Sequence, residues 1–242
     1  MSCRKMSIPN FNGETWLAFS DLCGTKAMYK ENPDKAAKAL DHFYNTVYNV
    51  VQGVQNEISA LAVSDCAIFW VHDDAEHRGM FQMLPTLLKQ LKWLHRQMIE
   101  HNYLIRTTIA YGHFRYEQRI EIRRLRKNMF IGGGYLEAYA ANDKVTPGGI
   151  VILRPPAQGE DDTRGPGETL DVQRTAGDFA AYLRARRGQK QWEFVWWINT
   201  ESDVDSALQS RKKLKKQSVY QALTAFYNSS LQGGRDHVRN EC

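Results

Sequence analysis

The chain has 242 residues, 43% of them hydrophobic and 24% charged, with a net charge of +5 and a pI near 9.0. That apolar fraction suffices for a full core and excludes a globally disordered chain. The modest basic excess favours an anionic partner: a nucleotide, a nucleic acid or a membrane surface. Cys3, Cys23, Cys66 and Cys242 form no C-x-x-C pair, so neither a disulfide framework nor a zinc site is expected, and reduced thiols in the cytoplasm fit best. The opening MSCRKMSIPNF has no apolar run for export, and no stretch approaches the roughly 18 apolar residues that cross a bilayer. A cytoplasmic protein with no direct membrane role is expected.

In chain order, residues 15–21 predict a strand that ends on an acid: in TWLAFSDLCGT, Trp16, Leu17, Ala18, Phe19 and Leu22 surround Asp21. Residues 34–53 predict a helix, with Ala37, Leu40, Tyr44, Val47, Tyr48 and Val51 at helical spacing, Pro33 to start it and Gly53 to stop it. EISALAV (57–63) and CAIFWV (66–71) predict two strands at hairpin spacing, separated by Ser64 and Asp65. A long amphipathic helix is expected over 78–101, with Leu84, Leu87, Leu88, Leu91, Leu94 and Met98 on its apolar face. YLIRTTIAYG (103–112) is strand-like, 115–129 is basic and partly alternating, and 130–144 carries a glycine hinge followed by a short helix. Residues 148–153 and 191–198 predict strands, and 203–231 a last helix bearing Lys212, Lys213, Lys215 and Lys216. Residues 154–188, rich in Pro, Gly and charge, predict a surface insertion or lid. The order β-α-β-β-α-β predicts an α+β, ferredoxin-like fold over a single domain, 1–242: an antiparallel sheet with helices on one face, then a C-terminal strand and helix.

In that topology the first and third strands are central neighbours, which brings Asp21 and Asp65 to one end of the sheet. Two converging buried acids repel, and a divalent cation removes the conflict. Hard cations prefer oxygen ligands, and Mg²⁺ often combines few carboxylates with substrate phosphates. Taken singly, Asp21 is as well explained as a helix cap and Asp65 as part of a type I′ hairpin turn; together they favour a metal site. The turn Cys23-Gly24-Thr25-Lys26 offers backbone N–H groups where a triphosphate can rest, with Lys26 adding charge. Lys30 reads as an ordinary solvated lysine.

The sequence resembles the class III nucleotide cyclases. FSDLCGT matches that family's F-x-D-I-x-G-F-T, VSDCAIF its G-D-x-x-x-x-F, and IRTTIAYG (105–112) its R-x-G-I-x-x-G, in the same order and at similar intervals. The resemblance implies that Asp21 and Asp65, with the carbonyl of Leu22, hold two Mg²⁺ or Mn²⁺ ions, and that Arg106 contacts the triphosphate. Arg187 and Lys190 fall where the family keeps a phosphate-binding lysine; a basic surface turn is the equal alternative. Two departures matter. Ala60-Leu61-Ala62-Val63 lacks the lysine that reads adenine, and GGGYLEAYAAND, aligned on Ala138, puts Leu136 and Ala140 where purine cyclases carry a transition-state asparagine and arginine. The G-x-Y-L-E-A-Y pattern resembles the pyrimidine cyclases of Pycsar antiphage systems. That implies conversion of UTP or CTP to cyclic UMP or cyclic CMP, with uridylate cyclase favoured, by a homodimer with shared active sites whose product activates a separate cyclic-nucleotide-binding effector. Tyr44 and Tyr48 are then candidates to narrow the base pocket against a two-ring base; a core aromatic stripe is the plainer reading.

Three other readings compete: a purine cyclase, a catalytically dead cyclase-like domain, and an RNA-binding βαββαβ domain resting on RIEIRRLRKN (119–128) and RKKLKK (211–216). The RNA reading lacks an RNP aromatic motif, so no nucleic-acid partner is expected. No G-G-[DE]-E-F occurs, which separates the chain from diguanylate cyclases.

Overall fold

In a computed structural model, the residues described are 8–54, 57–72, 80–101, 103–122, 125–145, 148–153, 176, 183–185 and 191–194. Among the described residues, eight strands form one sheet: β1 (Phe11–Leu22), β2 (Ile58–Val63), β3 (Cys66–Val71), β4 (Ile105–Ile122), β5 (Leu125–Ile131), β6 (Ile150–Leu153), β7 (Leu183–Ala185) and β8 (Gln191–Phe194). The helices are α1 (Thr25–Glu31), α2 (Pro33–Gln52), α3 (Leu84–Glu100) and α4 (Gly133–Asn142), with a 3₁₀ turn at Met80–Met83 leading into α3.

The strand order is β2-β3-β1-β4-β6-β8-β7, with β5 folded back on β4. Strand β1 lies between β3 and β4 and is antiparallel to both, which is the expected ferredoxin-like arrangement. The parallel β4–β6 pair and the antiparallel β8 and β7 extend it. Both β7 and the buried Ala176 fall within the segment read as an insertion.

Alternation along β1 decides what each face receives. Trp16, Ala18 and Leu22 face a core built with Ala36, Ala39, Phe43, Val47 and Val50 of α2 and the leucines of α3. Leu17 and Phe19 face the other side, with Ile68, Trp70, Ala110, Phe114 and Ala138 of α4. The two helices of the βαββαβ unit thus share one face, as expected, and α4 packs on the opposite one. Leu84, Leu87, Leu88, Leu91, Leu94 and Met98 are all fully buried, as their spacing predicts. Each such leucine contributes about 1.5–3 kcal/mol of burial.

Helix α2 is rotated by one residue from the expected stripe. It buries Ala36, Ala39 and Phe43, while Tyr44 and Tyr48 are exposed. Phe43 has no polar atom and buries completely, whereas the tyrosine hydroxyls stay near water. Asn32 caps this helix, its side chain accepting hydrogen bonds from the N–H groups of Asp34 and Lys35, with Pro33 at the first helical position.

Strand β4 runs ten residues beyond the expected end at 112, into the basic segment, and pairs with β5 as a long hairpin. The last expected helix, 203–231, lies outside the described residues, as do the final residues of the 191–198 strand.

Glycine is required where α4 approaches the sheet. A Cβ at Gly132, which has φ +157°, would sit 2.1 Å from the His113 carbonyl oxygen. The backbones of Gly112 and Gly134 touch, a Cβ on Gly112 falling 3.1 Å from the Gly134 nitrogen.

Candidate active site

The site grows out of the register of β1. Asp21 stands opposite Cys66 on β3 and opposite Arg106 on β4. The hairpin turn that carries Asp65 lies immediately beside it, and the Leu22 N–H donates to the Asp65 carbonyl at 2.8 Å. Two acids 44 positions apart thereby meet at one sheet end because their strands are neighbours. The turn has a left-handed φ at Ser64, 55°, and not at Asp65, so it is not the type I′ turn, which needs both. The hydroxyl of Tyr44 reaches across from α2 and donates to the Ser64 carbonyl at 2.5 Å, tying the helix to this turn. Tyr48 is exposed one helical turn further on.

The Asp21 carboxylate is mostly buried, its side chain 19% exposed. Burial pushes its pKa up; Arg106 pulls it back, and Asp65 and then Asp143 add to the rise. Arg106 donates from Nε to Asp21 Oδ2 at 3.0 Å, and its Nη2 also lies 3.0 Å from that oxygen. The same Nη2 donates to Asp143 Oδ1 at 2.8 Å. In the structure, then, the Arg106 guanidinium is the cation that balances Asp21.

Beyond β1, Gly24 adopts a left-handed conformation, φ 81°, and α1 begins at Thr25. The Thr25 hydroxyl donates to the Leu22 carbonyl at 2.9 Å, which leaves that oxygen a second lone pair. Lys26 is in the first turn of α1 and is exposed. Arg187 and Lys190 lie outside the described residues.

The donor set suits a hard divalent cation: two carboxylates, Asp21 and Asp65, and the Leu22 carbonyl. Burial drives the neighbouring Cys23 thiol up to about 12 and the Cys66 thiol up to about 11 in the metal-free protein. An ion on Asp21 shares a carboxylate whose Oδ2 already accepts from Arg106.

Two groups of residues have no counterpart in the sequence reading. On the helix face, the Ser20 and Thr107 hydroxyls lie 2.8 Å apart, and Thr107 Oγ1 is 2.9 Å from His95 Nε2. This buried chain stitches β1, β4 and α3 together directly behind Asp21 and Arg106. Burial lowers the His95 pKa to about 3, a hydrogen bond to the Gly148 backbone pulling weakly the other way. On the α4 face, the Asn142 amide donates to the Phe19 carbonyl at 3.1 Å, the Thr108 hydroxyl at 3.3 Å and the Arg106 carbonyl at 3.4 Å. It fixes the end of α4, and with it Asp143, over the sheet. The only sequence signal was the polar pair Asn-Asp closing AYAAND, which reads as a helix end and nothing more. Leu136 and Ala140, on α4, are exposed.

No protein-family model matches the chain, and no curated protein matches its sequence. Solved structures do share its fold. The catalytic core of a rhodopsin-guanylyl cyclase with converted specificity, in complex with ATPalphaS, aligns with a TM-score of 0.52 at 13% identity, covering 77% of this chain and 96% of that one. The guanylyl cyclase Cya2 aligns with a TM-score of 0.50 at 14% identity, covering 76% of this chain and 93% of that one. At these identities the likeness establishes that the chain has the fold of nucleotide cyclase domains. Among the described residues, no helix is long and apolar enough to cross a membrane.

Proposed function

We propose that the chain is a nucleotide cyclase that converts UTP, or CTP, to its 3′,5′-cyclic monophosphate and pyrophosphate. The observation that carries this reading is the meeting of Asp21, Asp65 and Arg106 at one end of a cyclase-like sheet. Two Mg²⁺ or Mn²⁺ ions, held by both aspartates and the Leu22 carbonyl, would acidify the ribose 3′-hydroxyl and neutralise the phosphates.

The chain's own groups account for the rest. Nucleophile and electrophile belong to one molecule, so placement of the ribose against the α-phosphate supplies much of the rate. The Gly24–Thr25–Lys26 turn presents N–H groups and a positive charge to the triphosphate. Arg106, once released from Asp21, meets charge developing on the departing pyrophosphate. Arg187 and Lys190 are assigned to the same phosphates. The serine-threonine-histidine chain keeps β1 and β4 in register, so that Asp21 and Arg106 stay opposite each other.

Pyrimidine preference is supported by what stands at the purine-reading positions. Ala60, Leu61, Ala62 and Val63 offer no side chain to hydrogen-bond a purine edge, and Leu136 and Ala140 stand where purine cyclases carry the transition-state pair. Tyr44 is tied to the Asp65 turn, and we assign its ring, with Tyr48, to narrowing the base pocket. We assign the active form to a homodimer with shared sites. Its cyclic nucleotide serves as a messenger in antiphage defence, read by a separate effector. The second reading is a purine cyclase, favoured because the two solved structures described above are guanylyl cyclases, one of them with converted specificity and carrying an ATP analogue.

The test is purified protein incubated with Mn²⁺ and each of the four ribonucleoside triphosphates. Cyclic UMP or cyclic CMP is expected. Cyclisation of ATP or GTP alone would overturn the pyrimidine assignment. Asp21→Ala and Asp65→Ala are each expected to abolish turnover without unfolding the protein; activity in either would remove the two-metal scheme.

A further inference from the structure

We propose that Asp143 is a positioning residue for Arg106, holding the guanidinium beside the site when a divalent cation takes Asp21. This rests on the reading of Asp21 as a cation ligand. Arg106 is mostly buried, its side chain 24% exposed, and it satisfies its charge with two carboxylates at once. A cation on Asp21 draws on the same carboxylate and repels the guanidinium, which weakens the hold of Oδ2 on Arg106. A partly buried arginine that loses its acceptor is costly, and that cost is charged against metal binding.

Asp143 removes the difficulty because its acceptors are already engaged. Its Oδ1 receives Nη2 at 2.8 Å, and its main-chain carbonyl lies 3.4 Å from Nη1. Neither contact uses Nε, the nitrogen that Asp21 alone accepts. The guanidinium can therefore pivot off Asp21 while staying on Asp143. Asp143 is held for this task by its neighbour. Buried Asn142 is bonded to both β1 and β4, so the end of α4 cannot drift from the strand that carries Arg106. Asp143 itself is 89% exposed, so its contact with Arg106 lies at the protein surface.

The experiment is a double-mutant cycle read by Mn²⁺ affinity, from titration calorimetry or the spin-resonance signal of free Mn²⁺, with no nucleotide present. The proteins are the wild type, Asp143→Asn, Arg106→Gln and the double variant, with thermal melts to show that all four fold. Asp143→Asn is expected to weaken Mn²⁺ by about three- to fivefold, the scale of an exposed ion pair. Arg106→Gln should tighten it, and Asp143→Asn should then have no further effect. Unchanged affinity in Asp143→Asn would overturn the inference and leave the metal reading standing. So would an equal loss in the Arg106→Gln background, since Asp143 would then act through its own charge or as a ligand. If neither the wild type nor Arg106→Gln binds Mn²⁺, the cation site itself is wrong and this inference falls with it.

Discussion

The buried imidazole of His95 makes stability depend on pH in a way that can be isolated. Its folded pKa is about 3 against an ordinary 6.5, because burial penalises the charged ring. Between those values the unfolded chain binds a proton that the folded chain excludes, so stability is complete above pH 6.5 and declines as pH falls towards 3. Each pH unit is worth about 1.4 kcal/mol. Going from pH 6.5 to 5.0 therefore costs about 2 kcal/mol, a substantial part of the 5–15 kcal/mol typical of a domain. Asp21 works in the opposite direction, since its raised carboxyl pKa favours the folded state as the solution becomes acidic. That contribution is common to the wild type and to a His95→Gln variant, whose amide can still meet Thr107 but does not titrate. Urea unfolding of both proteins at pH 7.5 and 5.0 separates them: the wild type should lose about 2 kcal/mol more than the variant. Equal losses would show that His95 is not held neutral in the fold.

Two further predictions concern the site's supports. Gly132→Ala drives a Cβ into the His113 carbonyl and should cost at least about 2–4 kcal/mol, read as a lower urea midpoint, whereas Gly133→Ala, whose Cβ meets nothing within 4 Å, should be near neutral. Equal midpoints for the two would remove the steric account of the hinge. Tyr44→Phe keeps the ring but releases Ser64. Its turnover should fall about three- to tenfold, the worth of one hydrogen bond, with nucleotide preference unchanged, whereas Tyr44→Ala should begin to accept ATP. Wild-type turnover in the phenylalanine variant would show the tether to be dispensable.

Much of this architecture was legible because it rests on local signals. The leucine spacing of α3, the Pro33 start of α2 and the Ser64-Asp65 hairpin are set within a few residues of sequence, and the structure follows them. Strand pairing then brings Asp21 and Asp65 together, so two acids and a topology were enough to locate a candidate site. What was hidden depends on tertiary register. Nothing near Arg106 announces that it faces Asp21, and nothing near Asp143 announces that it reaches Arg106. The rotation of α2 was missed because its exposed tyrosines have the same spacing as its buried alanines and Phe43. The length of β4 was missed because its hydrophobic signal gives way to charge after Gly112, although backbone pairing continues to Ile122.

The strict two-residue repeat of β1 turns the sheet into a partition. Ser20 belongs to a dry compartment of neutral hydroxyls and imidazole, and Asp21, its immediate neighbour, to a charged compartment on the far side. Inserting or deleting one residue upstream within this strand would send the acid into the leucine layer and the serine out to Arg106, unless the strand bulged to absorb the change. Genuine functional relatives should therefore preserve the parity of spacing along this strand, even where hardly any side chain is shared.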